Sequence, residues 1–141
     1  MLVYSCSGSS NVAHLANYIA ERLDRLGLAE MSCIVGVGGN VKPLVHKATR
    51  GLPIIAIDGC PLGCVEQVLQ AKGIEPDMLV RLHERGLRKR QHTDFDEDER
   101  EAVFADLLAE LEPRLVAERP ELAPAIRELL DRVPAAAGAC G

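Results

Sequence analysis

Large aromatic side chains are nearly absent from this sequence: its 141 residues include two Tyr, two Phe and no Trp. Hydrophobic residues nevertheless make up 48% of the chain, so its core must be built from Leu, Val, Ile and Ala. An aliphatic core of this kind suits a sheet covered by helices. The length is that of one ordinary domain.

Three further features are missing, and each argues against a class of protein. No stretch approaches the ~20 apolar residues of a membrane-spanning helix. The opening stretch MLVYSCSG has no basic residues ahead of its apolar ones, so we expect no secretory signal. The net charge of −5 argues against a general nucleic-acid binder. We therefore predict a cytoplasmic protein that binds neither membranes nor nucleic acid; the sequence names no protein partner.

The order of apolar runs predicts an open α/β sheet. Three times a short apolar run is followed by a small-residue loop and a helix-like segment, and a fourth run comes last. The runs are residues 2–4, 31–37, 52–57 and 78–82. Parallel strands covered on both faces need such continuous apolarity, and their crossovers are right-handed. We predict a mostly parallel four-stranded sheet in the order 2-1-3-4, covered by helices.

The chain changes character beyond this sheet. Residues 94–112 are acidic with apolar residues at helical spacing, and residues 121–133 suggest another helix. We therefore predict an α/β core over residues 1–93 and an acidic helical extension of the same domain over 94–133. The Gly/Ala-rich tail over 134–141 is predicted to be flexible.

The five cysteines are the chemically distinctive residues: Cys6, Cys33, Cys60, Cys64 and Cys140. Disulfides are uncommon in the cytoplasm, where clustered cysteines more often bind metal or do redox chemistry. Cys140 stands apart, next to the last residue. The other four lie at or just beyond the ends of three predicted strands. Ligand sites of open α/β sheets form at such ends, so the topology predicts that these four sulfurs converge.

Four thiolates can hold zinc in a tetrahedron, with sulfurs roughly 3.8 Å apart. Pro61 fits the first turn of the third helix, which would place Cys60 and Cys64 on one helix face. Spacing and topology alone leave two interpretations open. The four cysteines share a metal site, or some of them, Cys33 above all, are ordinary small core residues.

Other thiol chemistries also stay open. A redox or sulfur-transfer enzyme could use Cys6 or the pair Cys60 and Cys64, and four thiolates suit an iron–sulfur cluster equally. A phosphatase is disfavoured, because Val12 stands where its phosphate-clamping Arg would follow Cys6. We assign no catalytic residue, and whether the chain is an enzyme is left open.

Two neighbouring residues receive other roles. His14 lies off the apolar stripe of the first helix and could approach the site, but a role other than metal ligand is the better interpretation. Asp58 is expected to accept N–H bonds at the turn into the third helix rather than to take part in catalysis.

Three stretches, YSCSGSSNVAHLAN, AEMSCIVGVGG and IIAIDGCPLGCVEQVL, together resemble the DGC family of small proteins. The family is named after an Asp-Gly-Cys motif, here Asp58-Gly59-Cys60, and the resemblance covers about residues 2–95. Members are described as zinc-binding because of four cysteines, and no reaction is established for them. The ligands that this resemblance implies are Cys6, Cys33, Cys60 and Cys64. We therefore expect a zinc-binding protein of unknown process.

Overall fold

The computed structural model describes residues 1–132 of the chain. Two compact units are present, one over Met1–Asp94 and one that begins at Phe95. The tail predicted over residues 134–141, with Cys140 in it, lies outside the described residues.

The first unit is built on a parallel four-stranded sheet in the order β2-β1-β3-β4, which confirms the predicted topology. Every residue of β1 and β3 is buried, as expected for the central strands of a covered parallel sheet. The strands are β1 (Leu2–Ser5), β2 (Glu30–Met31), β3 (Ile54–Asp58) and β4 (Met78–Arg81).

Helices connect these strands. The first begins at Asn11, because the Ser10 side chain accepts the N–H of Ala13 and so caps the helix. Its apolar stripe, including Leu15 and Ile19, is buried, and the helix packs against β1. The helices of this unit are α1 (Asn11–Arg25), α2 (Ile34–Gly38), α3 (Lys42–Ala48) and α4 (Cys64–Gln70), and a 3-10 turn (Leu82–Arg85) follows β4.

The second strand is much shorter than predicted. Only Glu30 and Met31 form β2, and the rest of the apolar run continues as α2. Cys33 is the N-cap of α2, where its Sγ accepts the N–H of Gly36 at 3.4 Å. The predicted length of the second strand was wrong because a short, continuously apolar run fits a strand and a buried helical turn equally well.

The loop between β3 and α4 also differs from the prediction. Pro61 lies ahead of the helix, which begins only at Cys64. Gly63 precedes it with φ +60°, a left-handed conformation that glycine adopts without strain. Cys60 therefore belongs to the loop, and it does not share a helix face with Cys64.

The second unit consists of the two predicted helices. The first extends beyond residue 112 and continues through Pro113. A capping box fixes its start: the Asp96 side chain accepts the N–H of Glu99, whose carboxylate accepts the N–H of Asp96. The elements are α5 (Glu97–Glu118), a 3-10 turn (Pro120–Leu122) and α6 (Ala123–Arg132), and α5 packs against both others.

The longest helix, α5, has 22 residues, enough in length to cross a bilayer. Charged residues, however, occur along its whole length. Within residues 1–132, no helix is both long and apolar enough to span a membrane.

Candidate thiol site

A cavity of about 140 Å³ lies at the carboxyl edge of the sheet, and three of the predicted cysteines line it. Cys6 follows β1, Cys60 follows β3, and Cys64 is the first residue of α4. Parallel strands end at the same edge of a sheet, so the topology brings these residues together despite their separation in sequence. We call this the thiol cavity.

Cys6 is the most buried of the three, with 7% of its surface exposed. Burial is the main cause that raises the pKa of its thiol to about 11; the N–H of Gly59 opposes the shift, and negative charge on Asp58, Cys60 and Cys64 adds to it. That N–H lies 3.3 Å from the Cys6 Sγ. At neutral pH Cys6 is therefore a protonated thiol and a weak nucleophile.

Gly59 is required at this edge for reasons of space. A Cβ at this position would lie 2.6 Å from the carbonyl oxygen of Val12 and 2.7 Å from its carbonyl carbon. Its φ is outside the left-handed region, so close approach and not conformation excludes a side chain. The missing side chain lets the end of β3 contact the first turn of α1, and this contact brings the Gly59 N–H to Cys6.

Asp58 caps the next helix, as the sequence predicts. Its carboxylate is buried and accepts the N–H groups of Val65 at 2.9 Å and Glu66 at 3.0 Å. Gly63, at the N-cap, has no side chain to do this. Because both Asp58 oxygens are engaged with backbone donors, we assign this carboxylate to the support of the site.

Sequence reasoning missed the segment of residues 88–91, here called the strap. The fully buried Asn11 holds it: Nδ2 donates to the carbonyl of Arg88 at 3.0 Å, and Oδ1 accepts the N–H of Arg90 at 2.6 Å. The Asn11 N–H also donates to the Arg90 carbonyl at 3.0 Å. Beside it, Ser10 and Gln91 form an antiparallel bridge. No local pattern predicts these contacts, because the partners are nearly eighty residues apart.

The strap brings an ammonium group to the thiols. Lys89 lines the thiol cavity, and its Nζ lies 3.8 Å from the Sγ of Cys60. Among the described residues that line this cavity, Lys89 is the one with a basic side chain. The sequence shows residues 88–90 only as a basic cluster, and such clusters are usually solvated.

Cys33 stands apart from the other three. It is exposed, it caps α2, and it does not line the thiol cavity. Within residues 1–132, no three or more His, Cys, Asp or Glu side chains are arranged to hold a metal ion. The donor chemistry of the three clustered thiols suits zinc, but the described side chains do not form a closed four-thiolate tetrahedron.

His14 does not line the cavity either. It is exposed, and its Nδ1 lies 2.8 Å from the Oδ1 of Asp94, which is also exposed. We therefore leave His14 out of the candidate site.

Comparison with known proteins gives two matches of high coverage. The family model described as the DGC domain matches residues 2–107. The protein named Anaerobic and virulence modulator AnvM, from Pseudomonas aeruginosa, is 52% identical over 112 residues, which cover 79% of this chain and 86% of that protein. No solved structure matches.

Proposed function

This chain belongs to the DGC domain family, and we propose that it binds a thiophilic metal ion, zinc first, at the carboxyl edge of its sheet. The observation that supports this proposal is the convergence of Cys6, Cys60 and Cys64 on one small cavity. Thiolates are the most frequent ligands of structural zinc sites in proteins.

Ionised thiols in the cavity would favour a bound cation. Negative charge on Cys60 and Cys64 helps to raise the pKa of Cys6, which means that anions in this cavity repel one another. A bound divalent ion reverses that balance, because it stabilises thiolates and displaces their protons. Metal binding is therefore expected to release protons and to tighten as the pH rises.

We propose Cys33 as the fourth ligand, which the family resemblance implies. Ser32 is the last residue there to bond to β1, through its N–H and the carbonyl of Val3 at 3.1 Å. Cys33 follows it directly and is exposed, so its sulfur can exchange the Gly36 N–H for another partner. Four protein ligands would close the site, whereas three would leave a position for an external ligand.

Elemental analysis of the untagged full chain, purified without oxygen, tests the proposal. We expect about one zinc ion per chain, lost in Cys6→Ser, Cys60→Ser and Cys64→Ser. Loss in Cys33→Ser identifies a four-thiolate site, and retention identifies a three-thiolate site. If the protein absorbs visible light and contains iron, the bound group is an iron–sulfur cluster and not zinc. A metal-free chain with all thiols reactive would refute metal binding.

The position of Lys89 supports a second candidate, thiol redox or sulfur-transfer chemistry at Cys60. An ammonium 3.8 Å from a sulfur can neutralise negative charge there when the sulfur attacks or leaves. Cys60 is partly exposed, whereas burial keeps Cys6 protonated. A Cys60–Cys64 disulfide, found by mass spectrometry after mild oxidation of a metal-free chain, would favour this candidate over zinc.

We further propose a regulatory role. The relative from Pseudomonas aeruginosa is named as an anaerobic and virulence modulator, which describes regulation and not a reaction. Expression of this chain in a strain of that bacterium lacking its own relative tests the proposal. Growth without oxygen is compared in the parent strain, the strain lacking the relative and the strain carrying this chain. A return to parental growth with the wild-type chain, but not with Cys60→Ser, would support a regulatory role that uses the thiols. Failure of the well-expressed wild-type chain would contradict it.

A further inference from the structure

Lys89 and Cys60 are neighbours only because the strap is fixed in place. Asn11 makes one side-chain bond on each side of Lys89, to the backbone of Arg88 and of Arg90. The strap is therefore held by backbone groups, and the Lys89 side chain itself remains available to the cavity.

We propose that Lys89 makes the thiol cavity selective for small anionic ligands, and that Asn11 is the positioning residue that keeps Lys89 there. The proposal rests on the proposed function only in taking the thiol cavity as the working site. It states that the small molecules that reach Cys60 are preferentially anions. It does not require a bound metal.

The charges around the cavity support this selectivity. Asp58 is the one carboxylate among the described lining residues, and two backbone N–H groups already engage it. The backbone bonds of Asp58 compete with its binding to an incoming molecule, whereas no such bond engages the Lys89 ammonium among the described residues. Lys89 is therefore the charge that an incoming molecule meets. Attraction between unit charges about 4 Å apart in water changes an equilibrium about fivefold, and salt at ~0.1 M reduces this to about threefold.

Two alkylating reagents of nearly equal size can measure the effect. Iodoacetate is an anion and iodoacetamide is neutral. In both reactions the thiolate sulfur attacks the CH2 carbon of the reagent, an S–C bond forms, and iodide leaves with the electrons of the C–I bond. Their rate ratio at one cysteine cancels the ionisation and exposure of that cysteine. Cys33, which is exposed and outside the cavity, serves as an internal reference in the same full-length chain. Rates are measured by mass spectrometry with a chelator present, and circular dichroism confirms folding.

We expect the iodoacetate-to-iodoacetamide ratio at Cys60 to exceed that at Cys33 about threefold in the wild type. Lys89→Gln should abolish the excess, and Lys89→Arg should retain it. Lys72→Gln is the matched control, because it removes the same charge from a different cavity, at the amino ends of β3 and β4.

Asn11→Ala should lower the ratio as far as Lys89→Gln does, although Lys89 is intact. Asn11→Ser, which is neutral and keeps a hydroxyl as a hydrogen-bonding group, is the second variant should Asn11→Ala not fold. A merely structural role would change both reagents' rates alike and leave the ratio unchanged.

An unchanged ratio in Lys89→Gln, or an equal loss in Lys72→Gln, would overturn the selectivity. Wild-type ratios in both Asn11 variants would overturn the positioning role. Metal analysis of the same wild-type preparation, made before the chelator is added, separates this test from the proposed function, because a protein purified without metal can still show the charge-dependent ratio.

Discussion

The substitution Gly59→Ala tests the packing on which the thiol site depends. A Cβ at position 59 would meet backbone atoms of Val12 at 2.6 and 2.7 Å, far inside van der Waals contact. Backbone cannot rotate away as a side-chain end can, so the end of β3 and the start of α1 must separate. Such overpacking costs typically 1–3 kcal/mol, and a clash with backbone belongs at the upper end, so we expect about 3 kcal/mol.

That loss is a large fraction of the ~5–15 kcal/mol that stabilises an ordinary domain. It corresponds to a fall in melting temperature of about 10 °C for a chain of this size. The separation also moves the Gly59 N–H away from the Cys6 Sγ, which it now meets at 3.3 Å. Cys6 should therefore become more exposed. Because burial is the largest cause of its raised pKa, this exposure outweighs the loss of the N–H, and Cys6 should react faster with iodoacetamide.

Urea unfolding and alkylation of the chelated chain measure the two effects together. Gly38→Ala is the matched control, because its new Cβ would meet Val68 methyl groups at an ordinary 3.5 and 3.6 Å. We expect that control within about 0.5 kcal/mol of the wild type. A Gly59→Ala chain as stable as the control, with Cys6 still protected, would refute the reasoning.

Three further predictions concern residues that support the two units. Asp58→Asn should lower the free energy of unfolding by about 1–2 kcal/mol, because the start of α4 loses a charged cap with two backbone partners. Urea unfolding would measure this loss, and an unfolding midpoint equal to that of the wild type would contradict the role assigned to Asp58. Asp96→Ala should reduce the stability of α5 by about 1 kcal/mol, seen as faster amide exchange in its first turn; unchanged exchange there would show that the capping box is dispensable. Since burial raises the pKa of Cys6 from 9.0 to about 11, the metal-free chain should keep its stability below pH 9 and lose it as the pH rises toward 11. The loss should reach about 2 kcal/mol after allowance for solvent screening, and Cys6→Ala should remove that slope; the same slope in the variant would assign it to another group.

The sheet could be predicted from the sequence because parallel strands have a one-dimensional signature. Both β1 and β3 are continuously apolar, and each is followed by a turn. These features predict two buried parallel strands, and therefore the edge of the sheet where Cys6 and Cys60 meet. The place of Cys33 could not be predicted in this way. Its apolar run continues as a strand only as far as it pairs with β1, and beyond that point it forms a helix. The extent of this pairing depends on contacts between distant segments, which a local sequence pattern does not show.

The strap illustrates a second limit. Asn11 follows Ser10, the cap of α1, and its side chain is buried and binds the strap. The contacts of one buried Asn side chain with residues far along the chain produce no periodic pattern in the sequence. Only the folded chain shows that the basic residues 88–90 include one that faces a thiol.

The motif Asp58-Gly59-Cys60 joins three different elements in three consecutive residues, and we therefore expect that its spacing cannot change without loss of a contact. Asp58 binds the first turn of α4, Gly59 admits the backbone of α1, and Cys60 faces the strap. An inserted residue would move at least one of these contacts by about 3.3 Å, the rise of one extended residue. The cap, the close approach or the thiol would then be lost. The motif is therefore a structural joint: the position of the Cys60 sulfur depends on two neighbours, one that caps a helix and one that lets two elements approach closely.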